Sequence, residues 1–194
     1  MPYTLSYIEV VGVFFGIVCV ILTAKESLWC WPTGIISVIF YGIFYYQQTL
    51  YVNVLLHIFY FIACIIGWHK WLYGGENKTE LKIAHTTKKH LLELGIITVF
   101  MFIFSGMISS KITNDKMPYT DALLASMSFT AQWMMNKKLA ENWWVWILVD
   151  AIYSVVHFQN HNYPSFLMYS AYVIIASIGY YLWMKSLKKS QVPQ

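Results

Sequence analysis

Apolar residues fall into long runs along this chain, and polar residues collect between them. Seven runs can be placed, at roughly 5–24, 29–46, 51–72, 91–110, 119–136, 142–158 and 163–184. A helix needs about 20 apolar residues to cross the hydrocarbon of a bilayer, because each backbone N–H and C=O must find its partner within the segment. The pattern therefore predicts an all-α integral membrane protein with seven transmembrane helices. One long polar stretch, 73–90, predicts a surface loop between the third and fourth runs. Residues 185–194 read as a short basic tail.

Composition supports this solvent assignment. Hydrophobic residues make up 58% of the chain and charged residues only 11%, against about 25% charged in a soluble domain. No cleavable signal peptide is expected, since the first run is too long and lacks a charged flank. Cys19, Cys30 and Cys64 sit in or beside apolar runs without metal-ligand spacing, and read as small hydrophobes. No metal and no cofactor are expected. The net charge of +4 comes from lysine, since the chain has no arginine. It predicts topology, not nucleic-acid binding. Eleven lysines fall on one side of the seven-span layout: Lys25, Lys70, Lys78, Lys82, Lys88, Lys89, Lys137, Lys138, Lys185, Lys188 and Lys189. Lys111 and Lys116 fall on the other. Positive loops stay in the cytoplasm, so the expected N-terminus is outside and the C-terminus inside.

A shift of 112 residues brings the two ends of the chain into register. It sets Tyr7 on Tyr119, Glu9 on Asp121, Lys25 on Lys137, Trp31 on Trp143, Tyr41 on Tyr153, Gly67 on Gly179 and Trp71 on Trp183. The expected units are a three-helix repeat in 1–72, a loop and linker helix in 73–118, and a second repeat with the tail in 119–194. Parallel three-helix repeats, 3+1+3, are a transporter architecture with its site near the membrane midplane.

The candidate chemistry centres on Glu141 to Asp150. Trp143, Trp146 and Asp150 are spaced i, i+3 and i+7, on one face of a helix. A carboxylate at mid-bilayer costs about 2.5–3.5 kcal/mol on insertion scales, so it must face the bundle interior. It either takes a structural hydrogen bond from a neighbouring helix or serves as counter-charge to a cationic cargo. The two indoles favour the second reading, through cation–π contact. His57, with Asn53 one turn before it, is either an interhelical hydrogen bond or a second polar reader. Gln132 and the repeat mates Tyr41 and Tyr153 are further candidates. Glu9 and Asp121 read as helix caps. Trp144 reads as an interfacial ring, while His157 and His161 read as solvated at the outer surface. No motif for hydrolytic or metal catalysis and no nucleotide-binding loop is present, so neither an enzyme nor an ATP-driven pump is expected. A membrane-embedded lipid enzyme would need paired acids that the chain lacks.

Residues 141–146, E-N-W-W-V-W, followed by Asp150, resemble the PnuC family of bacterial vitamin uptake proteins. So do Gly34, Tyr41–Gly42, Leu50–Tyr51, Gly67–Trp68 and Trp71. The resemblance covers nearly the whole chain. It implies a SWEET-like fold of seven helices, usually a homotrimer in the inner membrane. It also implies facilitated diffusion of a vitamin that a cytoplasmic kinase then traps by phosphorylation. Members carrying nicotinamide riboside show Asn where Asp150 stands, and a residue like Gln where His57 stands. With both amide readers replaced, the resemblance points to the thiamine-carrying PnuT branch. Nicotinamide riboside is the alternative, and a neutral riboflavin fits a buried Asp least.

Overall fold

The computed structural model describes residues 7–49, 51–112 and 117–190. Lys116, one of the two lysines assigned to the outer side, lies outside these residues. The described residues form seven α-helices: α1 (Tyr7–Ala24), α2 (Cys30–Gln47), α3 (Tyr51–Tyr73), α4 (Lys88–Ile112), α5 (Pro118–Asn136), α6 (Asn142–Gln159) and α7 (Tyr163–Ser190). Each apolar run became one helix. α4 and α7 extend beyond the apolar runs into lysine-bearing ends, because lysine stems continue a helix while their charged heads reach polar surroundings.

Four helices are both long and apolar enough to cross a membrane, within α1, α3, α4 and α7. The other three include polar side chains within the helix, such as Thr33 and Ser37 in α2, Ser126 and Ser128 in α5, and Ser154 in α6. α5 shows how such groups are kept in a helix: Ser126 and Ser128 are buried and donate to the carbonyls of Ala122 and Leu124, each at 2.8 Å. Glu9 and Asp121 lie in the first turns of α1 and α5, where a carboxylate meets the positive end of the helix dipole.

The chain divides into two compact units. One comprises residues 1–82 with 181–194, and the other 83–180. In the first, α2 packs against both α1 and α3. Its core holds Trp31, Trp71 and Trp183, all almost wholly buried. Trp31 meets Trp71 edge-on at 5.1 Å, and Trp71 meets Trp183 at 5.9 Å. Trp183 donates its indole N–H to the carbonyl of Thr23 at 3.1 Å. Gly34 passes beside Cys19 and Cys64, where an added Cβ would lie 3.1 Å and 3.4 Å from their sulfurs. The cysteines are free, as small apolar fillers should be.

In the second unit, α5 packs against α4 and α6. Thr98 of α4 and Thr130 of α5 join their hydroxyls at 2.6 Å. The end of the long polar stretch is not a free loop. Ala84 forms a parallel bridge with the α5–α6 turn, donating to Lys138 O and accepting from Ala140 N, each at 3.0 Å. Glu141 then holds the next two loop residues. One carboxylate oxygen faces His85 Nδ1 at 2.8 Å, and the other accepts from Thr86 N–H at 2.8 Å and Thr86 O–H at 2.7 Å. Burial pushes the Glu141 carboxyl up, but these hydrogen bonds outweigh it and hold the group below its ordinary value.

Candidate functional site

α6 is the helix that positions the central candidates. It starts just after the turn that the loop clamps, so its first residues are fixed from both sides. Trp143 is 1% exposed, and its indole lies on Gly179 of α7. One turn on, Trp146 is half-buried and its indole N–H is buried with no hydrogen-bond partner among the described residues. Asp150 follows one further turn along, 7% exposed. Among the described residues its carboxylate has no hydrogen-bonding or ion-pairing partner. An unpartnered donor and an unpartnered acceptor thus stand one turn apart on one helix. Buried polar groups are normally satisfied; these two are exceptions, as is Asn142 Oδ1 at the start of the same helix.

Tyr153, three residues beyond Asp150, is half-buried and stacks on Tyr169 of α7 at 4.8 Å. His157 joins the same stack, 5.2 Å from Tyr169 and nearly parallel to it. This corrects the expectation of a solvated His157: its ring face is taken up by phenol rings, which the run of polar residues after it conceals. His161 is exposed, as expected. Gln132 on α5 donates to Asn136 Oδ1 at 2.9 Å, so its amide is engaged within its own helix. Trp144 is 51% exposed and rests against Tyr180, as an interfacial ring would.

The remaining candidates lie in the first unit. His57 on α3 is half-buried, 5.6 Å from Tyr41 and 5.0 Å from Tyr45 of α2. Its Nδ1 lies 2.8 Å from the backbone oxygen of Asn53. A carbonyl only accepts, so Nδ1 carries the proton, and Nε2 of the neutral ring is an acceptor. Asn53 thereby acts on His57 through its main chain, fixing the tautomer. Tyr41 also covers Gly12 of α1, where an added Cβ would lie 3.1 Å from the ring. Beside these rings an open apolar groove of about 330 Å³ runs between α2 and α3, lined by Gly42, Val54, His57 and Phe61 among others. Among the described residues no three His, Cys, Asp or Glu side chains come together as a metal site.

The described residues thus form apolar helices, four of them long and apolar enough to cross a membrane, with buried or half-buried polar groups and rings along them. The chain belongs to the family described as nicotinamide mononucleotide transporter, whose model matches residues 6–185. It is a multi-pass membrane transporter of that family. It is 29% identical to the nicotinamide riboside transporter PnuC of Escherichia coli (strain K12), over 96% of this chain and 89% of that one. It is 22% identical to the riboflavin/roseoflavin transporter RibM of Streptomyces davaonensis, over 94% and 87%. Among solved structures it resembles the vitamin B3 transporter PnuC, with TM-score 0.74 and 26% identity, covering 95% of this chain and 83% of that one. The family resemblance read from E-N-W-W-V-W is thus established. The expected thiamine branch is not: the names of these relatives point to nicotinamide riboside and riboflavin.

Sequence reasoning missed Thr86 and His85, which belong to a stretch read as free loop. It also missed Tyr45 and Tyr169, and paired Tyr60 with Tyr172 only as repeat mates. Glu141 was in view only as part of a motif.

Proposed function

We propose that this chain carries a flat, cationic vitamin across the bacterial inner membrane, with nicotinamide riboside the preferred cargo and thiamine the second choice. The observation that supports this most is the buried Asp150 carboxylate without a protein partner. Such a group costs several kcal/mol in a membrane, and a cationic ring beside it would offset that cost. Nicotinamide riboside joins its ring nitrogen to the sugar and so carries a fixed positive charge, as does the thiazolium of thiamine. Riboflavin is neutral and gives the carboxylate no partner. The relatives' names move the preference from thiamine to nicotinamide riboside. Trp146 and Tyr153 offer ring faces, while Trp143 and Gln132 serve behind them.

The carrier reading includes a 3+1+3 layout of parallel repeats, in keeping with Trp31 lying on Gly67 and Trp143 on Gly179. It also includes an outside N-terminus and cytoplasmic C-terminus, a homotrimer, and downhill movement made one-way by a cytoplasmic kinase. A titration of the purified protein followed by tryptophan fluorescence tests the cargo. Nicotinamide riboside should bind tighter than thiamine, and both far tighter than riboflavin. Tightest binding of riboflavin would overturn the role given to Asp150. Uptake into proteoliposomes should need neither ATP nor an ion gradient, and strict dependence on sodium or protons would overturn the facilitator mechanism.

A further inference from the structure

The two helical hairpins α2–α3 and α6–α7 each carry a cluster of four half-buried rings. In the first, Tyr41 meets Tyr45 and His57, Tyr45 meets His57, and His57 meets Tyr60, at 5.0–6.1 Å. In the second, Tyr153 meets His157 and Tyr169, His157 meets Tyr169, and Tyr169 meets Tyr172, at 4.8–6.3 Å. The 112-residue shift carries Tyr41 to Tyr153, Tyr45 to His157, His57 to Tyr169 and Tyr60 to Tyr172. All four ring pairs of one cluster therefore recur in the other. Each cluster has three phenols and one imidazole, with the imidazole on α3 in the first and on α6 in the second.

Lipid-facing positions are filled best by aliphatic side chains, and a sealed core has no need of polar rims. Six tyrosines and two histidines, all half-buried, meet neither description. They also differ from an interfacial belt, whose rings reach out to headgroups; in each cluster two of the four ring pairs cross the hairpin and two run along a helix. Such clusters present the negative faces of several rings without a formal charge among them, which is how proteins hold quaternary ring cations. In the first cluster His57 also lines the open groove. We propose that the two clusters are matched π-faced subsites for the charged ring of the cargo, one in each hairpin, and that they set the preference for a charged over an uncharged ring. This rests on the reading of the chain as a carrier of nicotinamide riboside.

The test compares uptake of nicotinamide riboside with that of its 1,4-dihydro form, which keeps the sugar and carboxamide but has no ring charge. Proteoliposomes of the full chain should favour the cation at least tenfold in KM. Tyr45→Leu and its repeat mate His157→Leu should each lower that ratio severalfold, by raising KM for the cation more than for the neutral form. Tyr45→Phe and His157→Phe, which keep a ring face, should hold the ratio. Equal loss of both cargoes in the Leu variants, or Phe variants that follow the Leu variants, would overturn the subsites and leave the cargo reading standing. No uptake of either compound by the unaltered protein would remove the cargo reading, and the subsites with it. Thermal unfolding of each purified variant separates a fallen ratio from a collapsed fold, since misfolding cannot change one KM and spare the other.

Discussion

The indole of Trp143 lies on the bare backbone of Gly179, so close that a methyl group added there would come within 2.7 Å of the ring. Trp31 lies on Gly67 in the same way, closer still. In each hairpin a large flat ring near the start of one helix fills a notch left by a missing side chain in the second half of the next. Without a hydrophobic drive between helices in lipid, such close packing is what holds them together.

Gly179→Ala and Gly67→Ala should each lower stability by about 1–3 kcal/mol through overpacking. Gly95→Ala is the control, because nothing lies within 4 Å of its added carbon. In a helix interior that change should be neutral or stabilising by up to about 1 kcal/mol. Thermal unfolding in detergent reads the difference. Equal melting of Gly179→Ala and Gly95→Ala would show that Trp143 moves aside freely.

Asp150→Asn should weaken nicotinamide riboside binding at least tenfold, since a charge-assisted contact becomes a neutral one. It should at the same time leave the protein as stable or more so, because the carboxylate has no protein partner to lose. A loss of stability with unchanged affinity would make Asp150 structural.

The clamp made by Glu141 is pH-dependent. Its carboxyl sits below its ordinary 4.5 in the folded protein, so its stabilisation is fully present above that value. It is lost as pH falls through the lower folded value. Hydrogen bonds to a charged group contribute about 1.5–3 kcal/mol each, so Glu141→Gln should free the loop already at neutral pH. A fluorophore on Lys82→Cys reports this by anisotropy: low for Glu141→Gln at pH 7, and falling in the parent only in acid. High anisotropy for the Gln variant would mean that the Ala84 bridge alone holds the loop.

The Thr98–Thr130 hydroxyl contact at 2.6 Å joins α4 to α5. Interhelical hydrogen bonds in membranes average about 0.6 kcal/mol. Thr98→Val and Thr130→Val should therefore each cost about that much, and the double variant no more than one of them, as a double-mutant cycle would show. Additive losses would indicate two independent bonds to backbone.

Helix number, order and approximate bounds were legible in the chain because hydrophobic length and backbone self-satisfaction are local requirements. The family was legible because Glu141, Trp143 and Trp146 lie close together in sequence. The cargo was not settled by Asp150 alone, since thiamine and nicotinamide riboside both offer a cation to one carboxylate. The clamp was hidden because Thr86 and Glu141 lie 55 residues apart, and nothing in the composition of a polar stretch tells which turn will bind it.

What the amino-acid sequence determined by itself, then, is a seven-helix membrane chain with a charge and two indoles along one helical face, properties that follow from periodicity and solvent. Only the tertiary structure decided that Trp143 is packed on Gly179 while Trp146 and Asp150 keep unpartnered polar atoms, and that His157 stacks on Tyr169. Those outcomes depend on which side chain of a neighbouring helix arrives at each position, and helix packing, not helix formation, makes that choice.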